Sequence, residues 1–555
     1  MRRLFVLILL LQPFLLFAQN DNYGGFMQEA WKEYEDFRMQ CNIEYAEFMK
    51  SAWKEYGVKP PIPVPEMKKV PVQTCKPGSV ATASVCVETE EVPMLPMDDV
   101  QPVPICKIPE MTMADLSGVS LGIDSLIGAD ALMRLLPDMK VEKHGGLFRF
   151  KRKKPARDAR QDVRQEAQKE TQQQETPQQE EVEAVYRELP FMFFGTELKV
   201  RVLEDFRFRL ESCDVALLSD AWKLLSTPRF NNTIRDCLEL RYDYNMCDWA
   251  YLEMLQSMAD AWLGKGTNEA IFLAAYIYCQ SGYQMRFAKS GNKLYMLVAS
   301  KHFMYDRYFL VIDGQDYFTV SNVDAQTRLE VCDTHFQNEA RLSLFIPKSV
   351  TLNNDLGDYK DVKSTLYTDV AMHVRVNKNL IDFYDKYPTS EVDNNFMTRW
   401  AMYANTPVDE SVKKQIYPSL KEKLAGKTTE EGVHALMHML QTGLEYGYDE
   451  DAWGHDRAFF AEETLYYPTC DCEDKSILFS HLVRDLYGLK TLLVYFPGHL
   501  LTAVHFEEEV NGLYCMYEGE KYVFCDPTFK GAGIGRIYPE YEGEKPSVIL
   551  LVGNE

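Results

Sequence analysis

Apolar residues recur at helical spacing in the segment that follows Asp471 and ends at Gly488. Asp471 suits the N-cap of a helix, Asp474 its third position, and Gly488 its C-cap. The residues that fall on one face of this helix are Ile477, Leu478, Leu482 and Leu486. The pattern predicts a helix with Cys472 in its first turn.

Strand patterns follow this helix. The stretches are "TLLVYFP", "LLTAVHF", "LYCMYE" and "KYVFCDPTF", and "EEEVNG" between the second and third ends in Asn511-Gly512, a strong hairpin signal. His499 opens the second strand directly after Gly498, and Asp526 ends the last one. We therefore expect a helix packed on an antiparallel sheet.

Two units precede this one. Residues 185–332 show helical periodicity in "DVALLSDAWKLL", "DWAYLEMLQSMADAWL" and "NEAIFLAAYIYCQSGY", then strand-like "KLYMLVAS" and "YFLVI". Residues 333–379 alternate like a small β unit, and helices resume from residue 380. His434 and His438 have the spacing of metal ligands on a helix, but the Glu of a zincin motif is missing, so we interpret them as structural.

The N-terminal third contains a repeat and two spacers. In residues 19–57 aromatic residues recur every 11 positions, as in Phe26, Phe37 and Phe48, which predicts a helix that packs its stripe on the protein body. A self-associating coil is the alternative. Residues 58–150 are a Pro-rich spacer with small elements, and residues 151–184 form a charged, Gln-rich linker.

Residues 1–18 have the parts of a secretory signal peptide. Arg2 and Arg3 precede an apolar stretch of 14 residues, Leu4 to Phe17, and Ala18 can end it. This stretch is shorter than the roughly 20 residues that span a bilayer. We expect an exported protein, periplasmic or at the cell surface, with an uncleaved anchor as the alternative.

The net charge and the number of cysteines bear on the partners and on the disulfides that we expect. The net charge of −23 argues against a nucleic-acid partner. Disulfides are permitted among the 13 cysteines of an exported chain, above all at Cys75, Cys86 and Cys106 in the Pro-rich segment. We expect Cys213, Cys237 and Cys279 to pack in a core.

The order of Cys472, His499 and Asp526 matches what thiol catalysis needs. Unpaired N–H groups and the dipole at a helix N-terminus favour a thiolate at Cys472. His499 lies 27 residues later and Asp526 another 27. In such a triad the thiolate attacks a carbonyl, the imidazolium protonates the leaving group, and the carboxylate fixes the ring.

The stretch "EETLYYPTCDCEDKSILFSHLVRDLYGLKTLLVYFPGHLLTAVHF", followed by "YVFCDPTF", resembles the transglutaminase-like superfamily. The resemblance covers about a quarter of the chain. It implies a papain-like core with Cys472 as nucleophile, His499 as base and Asp526 as orienting acid. It also makes Gln441 a candidate oxyanion donor beside the backbone N–H of Cys472. The segment around Cys247 is either a degenerate second copy or a plain helical domain.

Other interpretations of the cysteine pair stay open. A Cys470–Cys472 disulfide closes a strained ring, and a zinc site of Cys470, Cys472 and His499 lacks a second ligand pair. His505 lies on the same strand face as His499 and is the weaker candidate for the base. A pseudoenzyme that retains the fold is a further possibility.

These patterns predict a multidomain α+β protein whose residues 380–555 form a transglutaminase-like, papain-like domain. We expect a cysteine peptidase or amidase that acts on a protein or peptide substrate and needs no cofactor or metal. The alternatives are a non-catalytic binding or assembly protein of the cell envelope, engaging partners through its N-terminal helix, and a transglutaminase that cross-links Gln to amines.

Overall fold

The computed structural model describes residues 23–79, 81, 83–92, 139–144, 147–152, 185–204, 208–323 and 327–551. It shows a mixed α+β protein with several antiparallel sheets, as predicted. The expected signal peptide, Cys106 and residues 153–184 of the linker lie outside these ranges. Within them no helix combines the length and apolar composition needed to cross a membrane.

The helices and strands of these ranges are as follows. The α-helices are α1 (Tyr23–Met49), α2 (Val215–Leu225), α3 (Asn231–Asp243), α4 (Asp248–Leu263), α5 (Asn268–Gln280), α6 (Lys378–Tyr384), α7 (Thr398–Asn405), α8 (Glu410–Leu424), α9 (Thr429–Gly443), α10 (Asp449–Ala452), α11 (Ala461–Tyr466) and α12 (Cys472–Tyr487). The strands before residue 300 are β1 (Trp53–Gly57), β2 (Thr74–Ser79), β3 (Val85–Cys86), β4 (Glu90–Val92), β5 (Met139–His144), β6 (Leu147–Arg152), β7 (Tyr186–Phe193), β8 (Thr196–Leu203), β9 (Met285–Ser290) and β10 (Lys293–Ala299). The later strands are β11 (Phe303–Met304), β12 (Phe309–Ile312), β13 (Gln315–Thr319), β14 (Arg328–Cys332), β15 (Lys360–Lys363), β16 (Ala371–Val374), β17 (Ser390–Glu391), β18 (Glu445–Tyr446), β19 (Thr469–Cys470), β20 (Thr491–Phe496), β21 (His499–His505), β22 (Leu513–Tyr517), β23 (Glu520–Cys525), β24 (Lys530–Ala532) and β25 (Ser547–Ile549).

Helix α1 packs on the protein body, as predicted, through the Tyr position of the 11-residue repeat and not through its Phe position. Phe37 and Phe48 are 63% and 65% exposed, whereas Tyr45 is buried and stacks on Trp222 at 4.3 Å. The helix also ends at Met49, and the residues of β1 pair with β14 instead of continuing it. The 11-residue spacing was therefore wrong about the helix end, because pairing of residues 53–57 with a distant strand overrides local periodicity.

The middle unit combines helices α2 to α5 with a six-stranded sheet. The strand order is β1-β14-β9-β10-β13-β12. Its core contains the expected cysteines Cys213, Cys237 and Cys279, all buried. The strand-like stretches of the sequence form β10 and β12, as predicted.

The C-terminal unit has a seven-stranded sheet in the order β3-β22-β23-β21-β20-β25-β4, with α12 packed against β21. Helix α12 begins and ends where its caps predict, and Gly488 has the left-handed φ of 70°. Both edge strands, β3 and β4, come from the N-terminal region.

The predicted hairpin at Asn511-Gly512 is wrong. Strand β21 pairs with β23, and the tight hairpin joins β22 to β23. Glu518 and Gly519 form its turn with φ values of 49° and 82°. A two-residue turn with both φ positive matches the twist of the strands, and here it is made without Asn.

Candidate active site

Cys472 is the first residue of α12, and the helix start is built by carboxylates. The Asp474 side chain accepts a hydrogen bond from the Asp471 backbone N–H at 3.0 Å and one from the Phe459 N–H at 2.9 Å. Asp471 occupies the N-cap position, as predicted, but its side chain contacts Lys69. The cap thus fixes the position of Cys472.

Two hydroxyl groups fasten α12 to strand β21. Ser476 Oγ donates to the Leu500 carbonyl oxygen at 3.0 Å, and Thr502 Oγ1 donates to the Ser476 carbonyl oxygen at 3.0 Å. The Leu500 backbone in turn forms a hydrogen bond with the Cys472 thiol. The start of the helix therefore lies beside the residue that follows His499.

His499 and Asp526 form a buried pair. The His499 Nε2 lies 2.8 Å from Asp526 Oδ2. Asp526 Oδ1 accepts hydrogen bonds from the backbone N–H groups of Thr528 at 2.8 Å and Phe529 at 3.1 Å. Tyr538 stacks on the imidazole at 4.6 Å between centroids. With Nε2 held by the carboxylate, Nδ1 is the ring nitrogen left for a reacting group.

Gln441 has a different position from the one predicted. Its Nε2 donates to the carbonyl oxygens of Asp526 at 2.9 Å and Ala532 at 3.2 Å, and its Oε1 accepts from the Gly531 N–H at 3.2 Å. Both amide hydrogens are therefore bound to backbone carbonyls, which leaves none for an oxyanion. These contacts favour a positioning role for Gln441 on the loop that carries Asp526.

The Cys472 thiol is fully buried and donates a hydrogen bond to Glu473 Oε2 at 3.3 Å. Burial and, after it, the Glu473 charge raise the pKa of the thiol well above its ordinary value, against the lowering by Lys69 and the Leu500 backbone. The position of Cys472 at a helix N-terminus had predicted a lowered thiol pKa, which is the opposite direction. Within the described ranges no hydrogen bond joins this thiol to His499.

The other candidate side chains point elsewhere. Cys470 is buried and its thiol contacts the Glu445 carbonyl oxygen at 3.8 Å, with burial raising its pKa to about 12. His505 Nδ1 lies 3.0 Å from the Lys521 carbonyl oxygen. His434 and His438 bind hydroxyl groups of nearby side chains, consistent with a structural role.

Neither the expected disulfide at Cys86 nor a triad around Cys247 is formed within the described ranges. Cys86 carries an exposed free thiol, so the disulfide expected there is not formed. Cys247 is the N-cap of α4, and its thiol lies 3.8 Å from the Tyr387 hydroxyl rather than near an imidazole. Among the described residues of the middle unit, no hydrogen bond joins a histidine ring to a carboxylate as in the His499–Asp526 pair.

Lys69 enters the site from the Pro-rich segment, and no pattern in the sequence predicts its position. Its ammonium lies 2.7 Å from Asp449 and 3.1 Å from Asp456. It also lies 3.2 Å from Glu473 and contacts Asp471. We call these four carboxylates the acid cluster. The one indication in the sequence is that Asp471, Glu473 and Asp474 lie close together around Cys472, and such a group of carboxylates needs a cation nearby.

Comparison of the chain with protein-family models, curated proteins and solved structures finds no match. The function is therefore inferred from the residues and the geometry of this site.

Proposed function

We propose that the chain is an exported, cysteine-dependent acyl-transfer enzyme of the transglutaminase-like type that hydrolyses peptide or amide bonds. The observation that carries this proposal is the buried His499–Asp526 pair, 2.8 Å apart. His499 belongs to β21, and the next residue of that strand, Leu500, contacts the Cys472 thiol through its backbone. A nucleophile, a base and an orienting carboxylate are the parts that thiol acyl transfer needs.

The reaction follows from these parts. The Cys472 thiol gives its proton to His499 Nδ1, and the thiolate attacks the carbonyl carbon of the substrate. The C–S bond forms, the C–N bond breaks, and the imidazolium protonates the departing amine. Water then attacks the thioester while His499 takes its proton, which releases the acid and restores the thiol. The backbone N–H of Cys472, in the first helical turn, is a candidate donor to the oxyanion.

Hydrolysis is the favoured outcome over cross-linking. The lysine that lies next to Cys472 is Lys69, whose ammonium contacts four carboxylates. Burial lowers the pKa of Lys69, but the charges of Glu473, Asp456 and Asp449 outweigh burial and raise the pKa above its ordinary value. A protonated amine is not a nucleophile, so this lysine is no acyl acceptor, and we take water as the acceptor.

One observation favours the second candidate function, a non-catalytic binding or assembly protein of the cell envelope. The Cys472 thiol is fully buried and protonated, with its hydrogen directed to Glu473 instead of His499. Catalysis therefore requires this thiol to turn towards the imidazole and become accessible, whereas a binding protein requires neither.

The test combines thiol labelling with a search for products. The full chain is treated with iodoacetamide at mildly acidic pH, and it is also incubated with a peptide library whose new termini are read by mass spectrometry. We expect labelling of Cys472 from the state in which its thiol has turned to His499 and become accessible, together with new termini. Both should be lost in His499→Ala and retained in His505→Ala. Cys470→Ala serves as the matched control for Cys472→Ala.

The binding protein would be favoured by a clear set of results. These are labelling of Cys472 no faster than that of Cys470, and no Cys472-dependent product from either the natural chain or a Lys69→Met variant. The Lys69→Met variant is included because it removes the Lys69 ammonium group that lies next to the Cys472 thiol.

A further inference from the structure

An extended segment from the N-terminal region crosses the candidate active site. We call residues 65–74 the strap; its sequence is "PEMKKVPVQT". The Val70 N–H donates to the Gly498 carbonyl oxygen at 3.1 Å, and the Lys530 N–H donates to the Gln73 carbonyl oxygen at 3.2 Å. The strap is thus bound through its main chain at Gly498, next to His499, and at Lys530, in the segment that follows Asp526, as an extended peptide ligand is held.

Gly498 shows how closely the strap approaches the catalytic turn. Gly498 has φ of 89°, and a Cβ added to it would lie 2.4 Å from the Lys68 carbonyl oxygen. A side chain at this position would therefore collide with the strap backbone. The glycine before His499 leaves a groove in which another backbone can lie.

The side chain of Lys69 leaves this groove and enters the acid cluster. It is 5% exposed, and its ammonium is within 3.2 Å of Asp449, Asp456 and Glu473. Glu473 links the two parts of the site, because its Oε1 faces the ammonium while its Oε2 accepts the Cys472 hydrogen. The lysine is therefore recognised directly beside the nucleophile.

The acid cluster carries more negative charge than its cations balance. Among the described residues, the cations paired with its four carboxylates are Lys69 and Arg399, of which Arg399 binds Asp456. Asp471 Oδ1 is buried and makes no hydrogen bond within the described ranges. Burial and the Glu473 charge raise the pKa of Asp449 to about 6. Because Asp471 Oδ1 is a buried acceptor without a donor and the cluster has excess negative charge, it is suited to bind a cationic group.

We propose that the acid cluster recognises the lysine side chain of an extended polypeptide substrate, and that the strap occupies this site in the present structure through Lys69. The inference rests on the proposed function and adds a substrate class to it. A substrate and the strap then compete for one groove, so the strap must leave before a substrate binds.

Displacement of the strap is tested by charge reversal. Lys69→Glu places a fifth carboxylate in the acid cluster and should expel the strap, whereas Lys68→Glu makes the same change at the exposed neighbouring residue. We expect iodoacetamide to label Cys472 at least roughly tenfold faster in Lys69→Glu than in Lys68→Glu, since hydrogen bonds to charged groups are lost. Equal labelling rates would show that the strap does not cover the thiol.

Recognition of lysine is tested in the same variant with two synthetic peptides. One is PEMKKVPVQT and the other has norleucine in place of its second lysine. Fluorescence anisotropy should show binding of the lysine peptide to the Lys69→Glu chain at least roughly tenfold tighter, and Asp456→Asn in that background should reduce the difference. Equal affinities would overturn the inference.

Two controls separate the possible failures. Circular dichroism checks that Lys69→Glu folds, and Lys69→Met replaces it in both experiments if it does not. Lysine-selective binding without any Cys472-dependent hydrolysis would sink the proposed function and leave recognition intact. Hydrolysis of both peptides at equal rates would support the proposed function and overturn the recognition of lysine.

Discussion

Replacing Gln441 by Met tests whether this amide holds the Asp526 loop or serves the oxyanion. Methionine keeps the volume but removes three hydrogen bonds, those to the carbonyls of Asp526 and Ala532 and that from the Gly531 N–H. At a net value of about 1 kcal/mol each, the loop loses about 3 kcal/mol. Because 1.4 kcal/mol is a factor of ten, local opening should become about a hundredfold more frequent.

Hydrogen exchange followed by mass spectrometry measures this opening. Peptic fragments covering residues 526–532 should exchange about a hundredfold faster in Gln441→Met. Thr442→Val is the matched control, because Thr442 lies next in α9 and donates to the His438 carbonyl oxygen at 2.9 Å, away from the loop. Turnover that falls with unchanged exchange at Gly531 would refute the positioning role and favour the oxyanion role.

Three further predictions concern catalysis, pH and the strap. Asp526→Asn retains an acceptor for the N–H groups of Thr528 and Phe529 but not the carboxylate, so kcat/KM should fall at least about a hundredfold with an unchanged circular dichroism spectrum. Burial raises the pKa of Glu462 to about 7, so its contribution to stability is complete below about pH 4 and is lost as the pH rises through 7. Thermal unfolding should therefore show Glu462→Gln more stable than the natural chain at pH 8, by up to about 3 kcal/mol, and equal to it at pH 4. Gly498→Ala should push away the strap and speed labelling of the thiol, and an unchanged labelling rate would contradict the close approach.

Local signals in the sequence explain which parts of the C-terminal unit could be predicted. Helix α12 has an N-cap residue and a glycine C-cap, and strands β20 to β23 are short runs rich in apolar, β-branched and aromatic residues, so each element follows from its own residues. The order of the strands does not, because β23 lies between β21 and β22 through pairing that no single segment encodes.

In the site too, local sequence predicts some features, whereas others depend on residues that are distant in the chain. His499 and Asp526 belong to elements that the pattern predicts, and the structure brings them together at 2.8 Å. Cys472 as the nucleophile stays a prediction. The electrostatics of the thiol were not predictable, because they depend on burial and on Lys69, which lies about 400 residues away in sequence from Glu473. Gln441 was assigned from the helix that carries it, and its actual partners lie on a loop that folds back later in the chain.

The two edge strands of the C-terminal sheet have a consequence for how the protein is made. Strands β3 and β4 leave the ribosome early, yet their partners β22 and β25 are synthesised about 400 residues later. Until then the early segment has no sheet to join, and the late sheet forms with unpaired edges that invite association with other chains. Completion of the C-terminal unit is therefore a late, long-range step, and a chain that lacks the N-terminal residues through β4 should be prone to aggregate through both edges.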